Sequence, residues 1–125
     1  MPKMSSQKLQ SVFEEELHRS FFQVIADLST VKESRVFLED FLGRGEMDML
    51  TKRLAIAAFL NDGKNYTEIG KILHVSSATI ATVAEKTNAK GMKLALQKMK
   101  VDKWASSMSK KFLRMFAKPS PKSKK

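Results

Sequence analysis

Ser76, Ser77, Ala78, Thr79 and Thr82 bring short hydroxyl and methyl side chains together within the run SSATIAT. Lys71 precedes that run, and Lys86, Lys90 and Lys93 follow it. A hydroxyl can donate or accept a hydrogen bond, and a threonine methyl or alanine can touch a thymine methyl. Such a group suits the edges of base pairs. An ammonium suits phosphate, as a compact charge with three donors. Ser77, Ala78, Thr79 and Thr82 are therefore candidate base-reading residues. Lys71, Ser76, Lys86, Lys90 and Lys93 are candidate phosphate contacts, which set position without specifying a base. Between Ser76 and Asn88 there is no Arg, Asn or Gln. The usual bidentate base contacts are thus missing, and only modest base specificity is expected.

The elements around these residues read as two short helices and a tight joint. Asn65 can cap a helix, with Glu68 three residues on to complete a capping box. Ile69, Ile72 and Leu73 then share one face. Gly70 costs this helix about 1 kcal/mol, which implies a packing reason, such as the next helix crossing close by. The periodicity weakens at His74-Val75-Ser76, and Ser76 can cap a second helix from Ser77 to about Glu85. That helix should turn Ala78, Ile80, Val83 and Ala84 inward and leave Ser77, Thr79, Thr82 and Lys86 outside. The pattern is a helix-turn-helix; its plainer alternative is two packed helices in a bundle.

The rest of the chain also reads as helix. Met1–Ser6 is expected to be a loose leader. Residues 7–28 carry Leu9, Phe13, Leu17, Phe21, Val24, Ile25 and Leu28 at mostly three- and four-residue steps, widened by Val12 and Phe22. That face exceeds what one small layer covers, so a partner subunit or a large cap must meet it. Thr30 and Glu33 form a second cap-box pair, opening a helix to about Leu42 with Val36, Phe37, Phe41 and Leu42 inward. A third helix follows from Glu46, with Gly63 at its end. Its Thr51-Lys52-Arg53 corner can bring positive charge near the two reader helices, or be a solvated turn. A final long helix is expected over 92–117, with the stripe Met92, Leu96, Met99, Trp104, Met108 and Phe112. Pro119 and Pro121 should end the order, making 118–125 a disordered lysine-rich tail.

Composition narrows the function. Residues 1–89 hold eleven Lys/Arg against twelve Asp/Glu, whereas residues 90–125 hold twelve against Asp102 alone. The net charge of +10 therefore resides in the last 36 residues. A polyanionic partner is implied, through attraction and counterion release. With no cysteine, thiolate chemistry is excluded. His18 and His74 sit in separate elements with no acidic cluster beside them, so neither a metal site nor an enzyme is expected. Neither a signal peptide nor a membrane span of about 18 apolar residues is apparent, and stable membrane insertion is not expected.

The segment Ser20–Glu85 resembles the tryptophan-repressor superfamily, and within it the YerC/YecD-type branch. The resemblance lies in FLEDF at 37–41, EMDMLTKRLAIAAFLNDGKNY at 46–66, YTEIG at 66–70 and SSATIATV at 76–83. It implies an all-α, tryptophan-repressor-like domain with a helix-turn-helix, here over 7–88, plus the basic C-terminal helix and tail. The implied core helices are 10–28, 31–42, 46–61, 66–73 and 77–85, in a dimeric DNA-binding protein. Arg53 matches one arginine of the family's tryptophan pocket. The other belongs to an arginine–glycine pair where this chain has Thr82-Val83. Loss of that guanidinium removes the fork that grips a carboxylate, and valine fills space that glycine leaves. Tryptophan is therefore not expected as a corepressor, and Arg53 is a weak remnant of an effector pocket.

These readings converge on a non-enzymatic transcriptional regulator or nucleoid-associated protein of the bacterial cytoplasm. It would be a homodimer on double-stranded DNA, placing 77–85 in the major groove and using C-terminal lysines for phosphate attraction. Two other classes stay open from the residues alone. One is an RNA-binding or ribosome-associated helical protein. The other is an interaction adaptor using its Met- and Phe-rich faces.

Overall fold

The computed structural model describes residues 2–117. Seven helices account for them: α1 (Pro2–Asp27), α2 (Val31–Phe41), α3 (Arg44–Asn61), α4 (Tyr66–Leu73), α5 (Ser77–Ala84), α6 (Lys90–Met99) and α7 (Val101–Phe116). No strand occurs among the described residues. The all-α reading holds. The 118–125 tail lies outside the described residues. The chain divides into two compact units, Met1–Met47 and Asp48–Lys125.

In the first unit, α1 begins at Pro2, so the segment expected to be a loose leader starts a helix instead. Proline suits a first helical position, because the missing N–H would have had no partner there and φ is already set. Phe21 of α1 stacks on Phe41 of α2 at 5.6 Å, and Phe37 stacks on Phe41 at 5.0 Å between ring centroids. These rings join the two helices. Elsewhere α1 is bare: Leu9, Val12, Phe13, Leu17 and Phe22 are each more than half exposed.

The start of α2 differs from the expected reciprocal box. Thr30 Oγ1 accepts the Glu33 N–H at 3.0 Å, but Glu33 Oε1 accepts from the N–H and hydroxyl of Ser29, at 2.9 and 3.1 Å. The carboxylate has reached one residue past the cap. Those Ser29 hydrogen bonds, backbone first, hold the Glu33 pKa below its ordinary value. A folded-state pKa below the unfolded one stabilises the chain above the unfolded value and loses that stabilisation as pH falls through the lowered one. The protection of the Ser29 amide, the slowing of its exchange relative to an unfolded amide at the same pH, is therefore expected to fall in acid. Glu33→Gln should flatten that acid limb, as hydrogen exchange measured across the carboxylate range would show.

The second unit is built around the end of α3. Ile56, Ala57, Ala58 and Phe59 are consecutive and all buried. Four successive residues point around most of a helix's circumference, so other helices must enclose α3 here. Ile69 of α4, Ile80 and Val83 of α5, Leu96 of α6, and Val101 and Ala105 of α7 complete the core. Trp104 adds a tilted contact with Phe59, ring centroids 5.1 Å apart.

The single helix expected over 92–117 is corrected to two. Lys100 has φ 54° and ψ 64°, the left-handed region, and ends α6 with its N–H donating to the Gln97 carbonyl. The chain turns on this one residue, and Val101 and Ala105 then join Leu96 in the core. A straight helix cannot do this with the present spacing. Met99 and Trp104 are five residues apart, which slips the apolar stripe out of the three-and-four rhythm. Helices α6 and α7 are thus parts of the core and not an appended basic arm.

One polar atom in α7 is left over. Ser109 Oγ is sealed from solvent and has no hydrogen-bond partner. Leaving a hydroxyl desolvated and unpaired is costly, and alanine is the better helix former. Ser109→Ala is expected to raise stability by about 1 kcal/mol, measurable as a higher urea midpoint at unchanged slope.

Candidate nucleic-acid interface

Local hydrogen bonds set the geometry of α4 and α5. Asn65 Oδ1 accepts the Glu68 N–H at 2.8 Å while Glu68 Oε1 accepts the Asn65 N–H at 3.1 Å, the full reciprocal box. At the other end, His74 adopts φ 55° and ψ 53°, and its N–H donates to the Gly70 carbonyl at 2.9 Å. A Cβ on Gly70 would stand 3.2 Å from the Val75 carbonyl oxygen. The glycine is explained by the returning turn and not by the crossing helix expected from the sequence. Ser76 then caps α5, its Oγ accepting the Thr79 N–H at 3.1 Å.

These bonds sort the candidate reading residues. Thr79 is half-buried, and its hydroxyl shares a 3.0 Å hydrogen bond with Ser76 Oγ. Thr82 is exposed, and its Oγ1 donates to the Ala78 carbonyl at 3.0 Å, which leaves its lone pairs and methyl facing outward chemistry. Ser77 and Ala78 are exposed, so Ala78 does not turn inward as expected, whereas Ile80 and Val83 do and Ala84 is half-buried. The open strip of α5 comprises Ser77, Ala78, Ala81 and Thr82, and Glu85, also exposed, caps its C-terminal end. Ala81 was missed in the sequence, although it stands four residues after Ser77 and so on the same face.

The candidate phosphate contacts do not form one patch. Ser76 belongs to the cap of α5, and exposed Lys86 follows that helix. Lys71 lines a cleft of about 220 Å³ with Lys64 and Glu68, facing Ser109, Phe112 and Leu113 of α7. Lys93 lines a different depression with Asn61, Lys100 and Lys103 at the α6–α7 corner. Lys90 is exposed at the start of α6.

Other sites from the sequence are placed as follows. Arg53 is exposed on α3. Its neighbour Lys52 pairs with Asp48 one turn back, Nζ to Oδ2 3.3 Å, and so is committed to its own helix. Val83 fills the core beside Ile80, where the repressor pattern has glycine. His18 and His74 are both exposed. Among the described residues there is no cluster of three or more His, Cys, Asp or Glu side chains suited to a metal, and no helix long and apolar enough to cross a membrane.

A short helix capped at its start, joined through a left-handed residue to a preceding boxed helix and open on one polar strip, is the form of a DNA-reading helix-turn-helix. The sequence model of the Trp repressor protein family matches residues 7–100. The chain belongs to that family. Trp repressor proteins are non-enzymatic, helix-turn-helix DNA-binding regulators. The family match takes in α4, α5 and α6 and stops at the left-handed Lys100, so α7 lies beyond it. No curated protein and no solved structure matches the chain significantly.

Proposed function

We propose that this Trp repressor family member is a double-stranded DNA-binding transcriptional regulator or nucleoid-associated protein, acting in the bacterial cytoplasm as a homodimer. Helix α5 enters the major groove, with Ser77, Ala78, Ala81 and Thr82 against the base edges. The observation that carries this reading is the open strip of Ser77, Ala78, Ala81 and Thr82 on α5, small and uncharged, on a helix anchored by Ile80 and Val83. Small side chains let the helix approach the bases closely, but hydroxyls and methyls discriminate weakly between them. Modest base preference joined to strong backbone attraction follows.

The bare apolar face of α1 supports the dimer, since a second copy would cover Leu9, Val12, Phe13 and Leu17. Two reading helices would then address successive major grooves about 34–36 Å apart. Tryptophan has no part in this reading, because Thr82 replaces the guanidinium and Val83 occupies the core.

Thr82→Ala and Lys86→Gln separate base reading from charge. Thr82→Ala is expected to change base preference by about 1 kcal/mol, roughly fivefold, at unchanged salt slope. Lys86→Gln should leave preference alone and lower the slope of log K against log salt by about 1.8, one contact being lost from each protomer of the homodimer. Fluorescence anisotropy on a panel of duplexes at several salt concentrations reads both. Preference unmoved by Thr82→Ala would contradict the placement of α5.

A further inference from the structure

We propose that the outer face of α7 is a second binding surface for the duplex backbone, held in fixed register with α5. Lys103, Ser107, Lys110 and Arg114 recur at steps of four, three and four, which is one stripe of a helix. Ser106, Ser107, Lys110 and Arg114 share a groove with Asp102 and Lys103 of about 460 Å³, so these side chains do converge on one side. At about 1.5 Å per residue, the stripe runs about 16 Å. Duplex DNA carries one charge per about 1.7 Å of axis, so a rod of that length spans several phosphates.

Charge argues for an absent polyanion. Among the described residues Lys103, Lys110 and Arg114 make no ion pair, and Asp102 is the one acid between Lys90 and Ala117. Like charges at helical spacing repel, so the stripe destabilises the free protein and a row of phosphates would relieve it. Serine hydroxyls beside the cations can donate to phosphate oxygens, and on a backbone-bound stripe Lys103, Lys110 and Arg114 engage phosphates and not base edges. The surface would therefore add affinity without preference.

Packing argues for fixed register and against a membrane. The inner side of α7 is committed to the core through Val101, Trp104 and Ala105. To lie in a bilayer with that face down, α7 would have to leave Phe59 and Leu96. The core that holds α7 also holds Ile80 and Val83 of α5. Contacts made by α7 should consequently fall at set phosphates relative to those of α5. A floating charged arm would instead spread its contacts along the strand.

The inference rests on α5 binding duplex DNA, and the test keeps the two apart. In the full chain, Lys103→Gln, Lys110→Gln and Arg114→Gln are combined, with the four lysines at 118, 122, 124 and 125 changed to Gln as a comparison. The α7 variant should lower the salt slope of the homodimer by about 5.4, three contacts being lost from each protomer, and weaken binding at least tenfold at low salt, with base preference kept. Ethylation interference should lose a discrete set of phosphates outside the α5 footprint. A melting temperature equal to or above that of the unaltered chain establishes that the variant is folded, the rise reflecting relief of the repulsion. Equal effects from the 118–125 lysine variant, or loss spread over all phosphates, would overturn the fixed surface. Tighter, α7-dependent capture by phosphatidylglycerol vesicles than by DNA would overturn the choice of partner. Failure of the unaltered chain to bind duplex DNA would instead remove the α5 reading itself.

Discussion

Phe59→Ala is expected to destabilise the second unit by about 3–5 kcal/mol, the usual cost of truncating a fully buried aromatic. Phe59 is 1% exposed and stands at the enclosed end of α3. Its ring meets Trp104 of α7, and Lys64 Nζ lies 5.8 Å above it. Removing it opens a cavity between α3 and α7 and takes away a cation–π contact as well. Stabilities of whole domains are commonly 5–15 kcal/mol, so the variant would be at or near its threshold. Trp104 is the single tryptophan, so its fluorescence reports on this contact directly. Urea unfolding followed at Trp104 should show the midpoint falling steeply. A shift below about 1 kcal/mol would mean that α7 does not depend on Phe59 for its seat.

Ala78→Glu is expected to abolish most duplex binding while leaving the fold intact. Ala78 is exposed at the second position of α5, where a new side chain displaces nothing. A carboxylate in the first turn of a helix is favoured by the helix dipole, so stability should hold or rise by a few tenths of a kcal/mol. At a DNA surface the same charge faces phosphates and base acceptors. Like-charge juxtaposition at an interface costs several kcal/mol, so affinity should fall by about a hundredfold. Anisotropy titration beside a thermal melt gives both signs in one preparation. Retained binding with an unchanged melt would place DNA elsewhere on the molecule.

Local features were the most legible. The Asn65–Glu68 box, the Ser76 cap and the burial of Ile69, Ile80 and Val83 follow from spacing alone, because each depends on residues within a turn or two. The Thr30–Glu33 pair shows where that ends. Its carboxylate took the Ser29 donors in place of the Thr30 N–H, a choice between adjacent amides that spacing cannot distinguish. In α5, Thr79 and Ala78 exchanged their expected sides because Ala78, two residues before buried Ile80, falls nearly opposite it on the helix, while Thr79, four residues before Val83, falls beside it.

The break at Lys100 was the least legible. Lysine is seldom left-handed, and no glycine or proline marks the joint, since the left-handed conformation is costly for any residue with a Cβ. The five-residue step from Met99 to Trp104 was the one available signal. The difference has a practical consequence for truncation. Deletion from residue 90 onward would remove Leu96, Val101 and Ala105 from the core, and loss of binding would then report unfolding. Substitution of exposed lysines keeps charge and fold separable.

The central proposal, that α5 reads duplex DNA, is met most directly by selection from a random double-stranded DNA pool at two salt concentrations with duplex RNA as competitor. Duplex DNA should be recovered over RNA at both salts. The recovered fragments should carry a weakly enriched motif in two half-sites one helical turn apart, and Ala78→Glu should erase it. Recovery of RNA equal to or above DNA, or enrichment that survives Ala78→Glu, would contradict it.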